Sequence, residues 1–237
     1  MFELNNDLDI KIAKINEVTV VVVDNFYKNP DEVRELALSL GTTDNPNTTG
    51  GFPGIRAFYS TSEVREKLYD LYYDLCLDNN IWQRNRLLSI PQWKDEWDKV
   101  GFLCNIANDS TILKSPLGII PHQDRYEGIP EGPTCQFGSV IYLNTPEECA
   151  GGTNIYSWNG NVTIPDSSVI LQYYEENDGD FKTVKKSFDN SKKWKVEHEF
   201  EMVYNRMVLY EADILHGLNI DLGMFTDYDR INQILFM

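Results

Sequence analysis

Two histidines and an aspartate in this chain have the residue types and the spacing of a transition-metal site. His122 and Asp124 are separated by one residue, and His216 lies much further along the chain. On an extended strand, side chains two residues apart point to the same side, so His122 and Asp124 could bind one ion. Two imidazoles and one carboxylate can occupy one face of an octahedral Fe(II) and leave three positions open. This set predicts a metal centre, provided that the fold brings His216 to the same place.

The residues around each histidine separate candidate ligands from an ordinary surface group. A bare His-x-Asp often arises by chance, and a solitary histidine is commonly a satisfied core or surface residue. The chain has three histidines, and His122 and His216 each follow an apolar run, at 117–121 and 207–215. His198 lies in a charged stretch, and we interpret it as a solvated side chain.

Arg230 begins a run, 230–236, in which polar and apolar residues alternate. Such alternation predicts a half-buried strand. An arginine would point inward from this strand only towards an anion, because an unpaired buried charge is very costly. The planar fork of arginine suits a carboxylate. The alternative is an ion pair with Asp227 or Asp229 at the end of the strand. The face shared with Arg230 would carry Asn232, Ile234 and Phe236.

Five short motifs follow one another in the order that is typical of one enzyme family. They are Pro121 to Asp124, Val140 to Asn144, Gly151 to Thr153, Val208 to His216, and Arg230 to Asn232. Each motif is weak alone, whereas five in sequence are strong. On these motifs, the stretch 101–237 resembles the prolyl-4-hydroxylase-like branch of the Fe(II)/2-oxoglutarate dioxygenases, whose core is a double-stranded β-helix, or jelly roll.

The resemblance implies a role for the residues of these motifs. The family's iron ligands correspond to His122, Asp124 and His216. Its arginine on the last core strand binds the far carboxylate of 2-oxoglutarate and corresponds to Arg230, and its tyrosine that donates to the same carboxylate corresponds to Tyr142. The implied cofactors are Fe(II), 2-oxoglutarate and O2, with ascorbate as an added stimulant. The implied reaction hydroxylates a substrate C–H bond and releases succinate and CO2.

Two asparagines occupy positions where the match to the family is looser. A small polar residue commonly follows the family's arginine by two positions, and Asn232 takes that place. The strand before His-x-Asp often carries a tyrosine that contacts the co-substrate, whereas 101–107 offers only Asn105. The segment 161–204 is longer and more charged than a minimal jelly roll requires. The substrate therefore does not follow from the resemblance, and a peptidyl side chain, an amino acid and a small metabolite all stay open.

The N-terminal part of the chain predicts elements that brace this core. The β-branched run 18–24 fits a strand that is buried on both faces. A helix is predicted from Pro30, with Asn29 as its N-cap and Gly41 at its end. A second helix is predicted after Thr61. Such helices usually pack on the outside of a larger sheet.

Size and composition predict a single domain. At 237 residues and 42% hydrophobic, the chain can bury one apolar core. We expect residues 1–237 to form one mainly β domain with flanking helices. Within it, 1–100 would be an N-terminal support layer of strand and helices, and 101–237 would be the jelly-roll catalytic core.

Two segments have no assigned role in this arrangement. The loop 41–59 is rich in glycine, asparagine and proline, and its length predicts a substrate lid in which Phe52 and Arg56 would be tested first. A loop without a function is the alternative. The lysine-rich segment 182–195 predicts a solvated surface, balanced by the acidic residues before it, or else a docking strip for an acidic partner.

Charge and cysteine content exclude several classes of protein. A net charge of −16 and a pI near 4.5 disfavour nucleic acid as a partner, because such binding depends on lysine and arginine. No apolar run reaches the roughly 18 residues of a membrane span, and the first residues lack the pattern of a secretory signal. Four cysteines without CxxC spacing indicate reduced thiols. We therefore expect a cytoplasmic protein that acts on a small-molecule or peptidyl substrate, in an oligomeric state that the sequence leaves open.

Two alternatives belong to other functional classes. A zinc-dependent hydrolase on a cupin-like jelly roll could use the same three ligands and would not need O2. A non-catalytic jelly-roll binding protein could keep the fold without needing the ligands at all. Arg230 is the sequence feature that favours the dioxygenase, because neither alternative requires it.

Overall fold

The computed structural model describes residues 1–40, 54–78, 101–114, 119–124, 137–163 and 181–236. The helices within these ranges are α1 Pro30–Leu40, α2 Ser62–Asp78, α3 Asp109–Lys114 and α4 Phe181–Asn190. The prediction of a mainly β fold is confirmed, since strands outnumber helices in the described part. The strands are β1 Asp9–Ile15, β2 Val18–Asp24, β3 Ile55–Tyr59, β4 Phe102–Ala107, β5 Phe137–Tyr142, β6 Gly152–Trp158, β7 Trp194–Glu201, β8 Met207–Glu211, β9 His216–Asn219 and β10 Arg230–Phe236.

The described strands form two antiparallel sheets. The larger sheet has the strand order β1-β2-β8-β5-β10-β4-β3, and the smaller one has the order β7-β6-β9. The predicted strand 230–236 is confirmed as β10, which lies inside the larger sheet between β5 and β4. His216 begins β9, at one edge of the smaller sheet. Arg230 and His216 therefore belong to different sheets.

Apolar side chains from the facing sides of the two sheets form the core between them. Val20 and Val22 of β2 belong to this core together with Ile155 of the smaller sheet. The alternate residues Val21 and Val23 belong to a second apolar cluster, because successive strand residues point to opposite faces. Strand β2 is thus buried on both faces, as predicted.

Helices α1 and α2 contribute to the second apolar cluster. Val33 and Ala37 of α1 and Leu68 of α2 are buried in it. The N-terminus of α2 is capped by Thr61, whose Oγ1 accepts a hydrogen bond from the backbone N–H of Val64 at 3.2 Å. Both helices begin where the sequence predicts them. A support layer over the whole of 1–100 includes residues outside the described ranges and stays a prediction, as does the division at residue 101.

The prediction of a loop over 41–59 is wrong for its C-terminal residues. Residues 55–59 form β3, which pairs with β4 in the register Arg56 to Asn105. The backbone groups on one side of this segment pair with the neighbouring strand β4, an interaction that local glycine and proline content could not reveal. The remainder of the loop, including Phe52, lies outside the described residues.

The lysine-rich segment forms α4 and the start of β7. Lys185 has Asp189 and Asp221 each at 3.3 Å, which agrees with local charge balancing on a solvated helix. The acidic residues at 175–180 that were expected to balance it lie outside the described residues. Cys104 and Cys149 are free thiols. No helix in the part of the chain that the structure describes is long and apolar enough to cross a membrane.

A bidentate ion pair joins the end of β2 to the loop before β8 and yields a stability prediction. Arg206 donates from Nε and Nη2 to Asp24 at 2.5 and 2.9 Å, and these hydrogen bonds lower the pKa of Asp24 below its ordinary 3.8. Arg206→Met should lower the free energy of unfolding by about 1 kcal/mol at pH 7, because the pair is partly open to solvent. Because the folded-state pKa is depressed, this difference should persist above pH 4 and shrink as pH falls further. Urea denaturation at pH 7 and pH 3 measures it.

Lys11 provides the control for this pair. It also contacts Asp24, at 3.2 Å, but its side chain is largely exposed. Lys11→Met should therefore cost less than Arg206→Met at pH 7. An equal loss for Arg206→Met at pH 7 and pH 3 would contradict the role given to Asp24.

Candidate metal and anion site

The three predicted metal ligands lie together in the structure. One ligand atom from each of His122, Asp124 and His216 lies within 4.8 Å of the others. His122 Nε2 is 3.9 Å from Asp124 Oδ1, and His216 Nε2 is 3.5 Å from Asp124 Oδ2. The two imidazole centroids are 4.5 Å apart. Side chains far apart in sequence therefore form a compact cluster of two nitrogens and one carboxylate.

The backbone around His122 holds the two histidines together. The N–H of His122 donates to the carbonyl of His216 at 2.8 Å, and the N–H of His216 donates to the carbonyl of His122 at 2.9 Å. This is an isolated bridge, and Asp124 lies on a bend. The expectation of an extended strand across 122–124 is thus corrected. Gln123 explains part of the difference, because its Nε2 donates to the carbonyl of Asp213 at 2.5 Å and ties the segment to the chain before β9.

Hydrogen bonding fixes which nitrogen of His216 faces the cluster. Its Nδ1 lies 3.0 Å from the carbonyl of Ile214, so Nδ1 carries the proton and Nε2 keeps a free lone pair. A backbone acceptor on the far side of a metal-binding imidazole is a common feature of metal sites. The ring of Tyr210 packs against His216, with centroids 4.3 Å apart.

Burial controls the protonation of the three groups. Desolvation, together with the neighbouring imidazole of His216, lowers the pKa of His122 to about 4, and desolvation lowers the pKa of His216 to about 4. Desolvation raises the pKa of Asp124 to about 6, against the attraction of His122 and Arg56. Both imidazoles are therefore neutral at pH 7, which is the form that binds a metal. The short distances to Asp124 are accordingly not ion pairs between charged side chains.

Gly138 on β5 leaves room for the carboxylate of Asp124. A Cβ added at Gly138 would lie 2.4 Å from Asp124 Oδ2 and 2.8 Å from Cε2 of Tyr210. Gly138→Ala should therefore displace the carboxylate and weaken Mn(II) binding about tenfold. Loss of the EPR signal of free Mn(II) during a titration measures this affinity.

Gly217 serves as the matched control, since it follows His216 directly. The nearest atom to a Cβ added there would be Cε2 of Tyr156, at 3.3 Å. Gly217→Ala should change Mn(II) affinity much less than Gly138→Ala. Equal affinities for Gly138→Ala and the unmodified protein would mean that Asp124 is not held as described.

Arg230 lies in the same cavity as the metal-ligand cluster. Its side chain is only 1% exposed, and Nη1 donates to Oδ1 of Asn232. Nε and Nη2 are buried and have no hydrogen-bond partner among the described residues. Desolvation lowers the pKa of Arg230, because burial disfavours the charged guanidinium. Within the described chain, the alternative pair with Asp227 or Asp229 does not form, so two N–H groups are left for an anion.

A row of polar side chains crosses four neighbouring strands beside Arg230. Asn232 of β10 is paired with Asn105 of β4 on one side and with Tyr142 of β5 on the other. Asn105 in turn is paired with Arg56 of β3. Arg56, Asn105 and Asn232 line the cavity that holds the metal-ligand cluster. The two predicted asparagines therefore lie next to each other, and Arg56 joins them from a strand that the sequence did not predict.

Tyr142 lies deeper than its expected role requires. It is fully buried, and its hydroxyl is 2.7 Å from Oγ1 of Thr153. The guanidinium of Arg230 is 5.9 Å from its ring centroid. Thr153 lines the cavity, and the sequence placed it in the Gly-Gly-Thr motif without giving it a role. Tyr210 also lines the cavity, and the sequence likewise placed it in a motif without giving it a role. Threonine and tyrosine are too common for their residue type alone to indicate a functional site.

Comparison with curated proteins finds no match, and comparison with solved structures finds proteins of low similarity. Among solved structures, an N-substituted L-amino acid dioxygenase from Burkholderia ambifaria AMMD is 12% identical over 93% of this chain and 83% of its own, with a TM-score of 0.40. HygX from Streptomyces hygroscopicus, with nickel and 2-oxoglutarate bound, is 12% identical over 91% and 80%, with a TM-score of 0.43.

A sequence-family model describes nearly the whole chain. It matches residues 6–230, which include His122, Asp124 and His216 and end at Arg230. By this match the chain belongs to the family of unknown function DUF6445.

Proposed function

We propose that this protein is a non-haem Fe(II)- and 2-oxoglutarate-dependent dioxygenase that hydroxylates a C–H bond of its substrate. The observation that carries the proposal is the buried guanidinium of Arg230, whose Nε and Nη2 have no hydrogen-bond partner among the described residues and which lies in the cavity that contains the His122, Asp124 and His216 cluster. Neither a zinc hydrolase nor a binding module needs a buried cation next to its metal ligands. A dicarboxylate co-substrate needs one, because its second carboxylate must be bound away from the metal.

The three clustered side chains fit Fe(II). Two neutral imidazoles and one carboxylate are the ligand set that such iron enzymes use on one face of the metal. His216 is already oriented by the carbonyl of Ile214, so metal binding would not require its ring to turn. Asp124 would supply the negative charge, with Gly138 leaving room beside its carboxylate.

The surroundings of Arg230 fit one end of 2-oxoglutarate. Its Nε and Nη2, which make no hydrogen bond within the described part of the chain, would form the two-pronged edge that binds a carboxylate, and Asn232 holds Nη1 in place. When bound, iron and 2-oxoglutarate supply the oxidising chemistry with O2, and succinate and CO2 are the co-products. Arg230 would bind and orient the co-substrate, and its burial would keep water from competing for those N–H groups.

Other buried polar groups would complete the co-substrate site. The Tyr142 hydroxyl is hydrogen-bonded to Thr153, the Arg230 guanidinium lies 5.9 Å from the centroid of the Tyr142 ring, and Thr153 lines the cavity. Asn105 has a buried Oδ1 without a hydrogen-bond partner among the described residues, so it could accept a hydrogen bond from a ligand or a water. We assign the two facing sheets to a jelly-roll core of the prolyl-4-hydroxylase-like branch, on the strength of the five sequence motifs.

Uncoupled turnover tests the proposal without knowledge of the substrate. The purified protein with Fe(II), ascorbate, O2 and 2-oxoglutarate should form succinate slowly, and addition of a true substrate should accelerate it. Omission of Fe(II) or O2 should stop succinate formation. Activity towards a substrate that persists without O2 would favour a zinc hydrolase instead. Failure to bind 2-oxoglutarate in the presence of Mn(II) would favour a binding protein.

A further inference from the structure

One polar side chain in the cavity has a bonding requirement that the proposed co-substrate cannot meet. We infer that the Oδ1 atom of Asn105 accepts a hydrogen bond from an N–H or O–H group of the primary substrate. The substrate would then carry an amide or hydroxyl donor in the part that enters the cavity. This inference rests on the proposed function and adds a substrate class to it.

Asn105 is buried in the cavity wall with one acceptor left over. The residue is 4% exposed and lines the cavity that contains the metal-ligand cluster. Its Oδ1 has no hydrogen-bond partner in the part of the chain that the structure describes. A buried carbonyl oxygen without a partner costs the full free energy of its desolvation. On a cavity wall, such an atom is a position where a bound ligand gains affinity by supplying a donor.

The left-over atom of Asn105 is an acceptor, and this restricts which ligand can satisfy it. Both carboxylates of 2-oxoglutarate are ionised at neutral pH, and its keto oxygen is also only an acceptor. Any of these oxygens placed against Oδ1 would bring two acceptors together. The resemblance implies a co-substrate contact for Asn105, but only the amide nitrogen of the side chain could make it. Oδ1 therefore requires an N–H or O–H group from a different molecule.

Asn105 and the residues proposed for the co-substrate lie on opposite sides of β10. Asn232 of β10 is paired with Asn105 of β4 on one side and with Tyr142 of β5 on the other. The backbones of Asn105 and Tyr142 are therefore about 10 Å apart at the usual strand spacing. The guanidinium of Arg230 lies 5.9 Å from the centroid of the Tyr142 ring. The co-substrate would thus be held on the β5 side, which leaves the β4 side of the cavity for the primary substrate.

The β4 side of the cavity is also close to the metal ligands. Arg56 of β3 is paired with Asn105. Desolvation raises the pKa of Asp124 to about 6, and the charge of Arg56 acts in the opposite direction, so this end of the polar row is within electrostatic range of the metal ligands. Ile234 and Val140 are paired with each other and line the same cavity. A substrate with its donor at Asn105 could therefore place an apolar group beside the metal site.

Three neutral probes with the same apolar chain separate the donor from the shape of the ligand. N,3-dimethylbutanamide has one N–H group, whereas methyl 3-methylbutanoate has an oxygen in its place and N,N,3-trimethylbutanamide has a methylated nitrogen. Binding to the full protein loaded with Mn(II) and 2-oxoglutarate is measured from paramagnetic broadening of the probes' methyl proton signals, with the His216→Ala protein as the blank. This readout needs no turnover. The probe with the N–H group should bind at least about fivefold more tightly than either analogue.

Variants assign this donor preference to Asn105. Asn105→Leu removes the acceptor at nearly the same side-chain size and should reduce the preference to less than about twofold. Asn105→Ala removes the acceptor without adding bulk and should have the same effect. Both variants should bind 2-oxoglutarate as tightly as the unmodified protein does. Asn190→Leu makes the same replacement at an exposed residue of α4, outside the cavity, and should leave the preference unchanged.

Three results would overturn the inference. They are equal binding of the three probes to the unmodified protein, a donor preference that survives both replacements of Asn105, and a loss of 2-oxoglutarate affinity in these variants as large as that in Arg230→Gln. The last result would mean that Asn105 belongs to the co-substrate site. Failure of the unmodified protein to bind Mn(II) or 2-oxoglutarate would instead overturn the proposed function.

Discussion

Replacement of Asp124 by alanine should abolish tight metal binding and reduce succinate formation at least about a thousandfold. Asp124 would provide the only carboxylate among the three clustered ligands, and without it two neutral imidazoles must hold a dication alone. Mn(II) titration followed by EPR and succinate assays with Fe(II) measure the two effects. The folded state should tolerate the change, because removal of Asp124 also removes a carboxylate whose pKa is raised by burial.

His198 provides the control for the metal site. It is an exposed residue on β7, and its ring packs against Phe200 with centroids 4.4 Å apart. His198→Ala should leave metal affinity and succinate formation unchanged. A thousandfold loss of succinate formation in His198→Ala, or full succinate formation in Asp124→Ala, would contradict the metal site. The non-catalytic binding protein would then be the better hypothesis.

Replacement of Arg230 by glutamine should raise the Michaelis constant for 2-oxoglutarate about a hundredfold or more while metal affinity stays the same. The fork of Arg230 would contribute two charge-assisted hydrogen bonds to the co-substrate, and glutamine offers no charge. The metal-free variant should be as stable as the unmodified protein or more stable, since it lacks a buried cation that has an incomplete set of hydrogen-bond partners among the described residues. Calorimetric titration with 2-oxoglutarate in the presence of Mn(II) measures the loss.

The combination of these two effects is what identifies a ligand-binding arginine. A structural arginine would destabilise the fold when removed, whereas Arg230→Gln should lower only the co-substrate affinity. In the unmodified protein, 2-oxoglutarate with Mn(II) should raise the melting temperature, and this increase should vanish in Arg230→Gln. Arg230→Lys should recover little, because lysine cannot present the planar fork. Unchanged 2-oxoglutarate affinity in Arg230→Gln would exclude this arginine from the co-substrate site.

The regular elements were largely predictable from local sequence. Alternation of polar and apolar residues predicted β10 from Arg230, and the β-branched run predicted a doubly buried β2. Helix α1 begins at Pro30 as its capping sequence predicts. These features depend on interactions between neighbouring residues, which a sequence displays directly. The edge strand β3 was missed because its stability comes from pairing with β4, far along the chain.

The sequence alone determined which residue types could form a site, namely two histidines, an aspartate and an arginine at the start of an alternating strand. The tertiary structure decided how they are arranged. The bend at Asp124, the mutual hydrogen bonds of His122 and His216, and the position of Arg56 on the edge strand all depend on contacts between distant segments. Register across strands is set by the packing of a whole sheet. For that reason residue spacing could nominate the metal ligands, whereas only the fold could bring Arg56 into the same cavity.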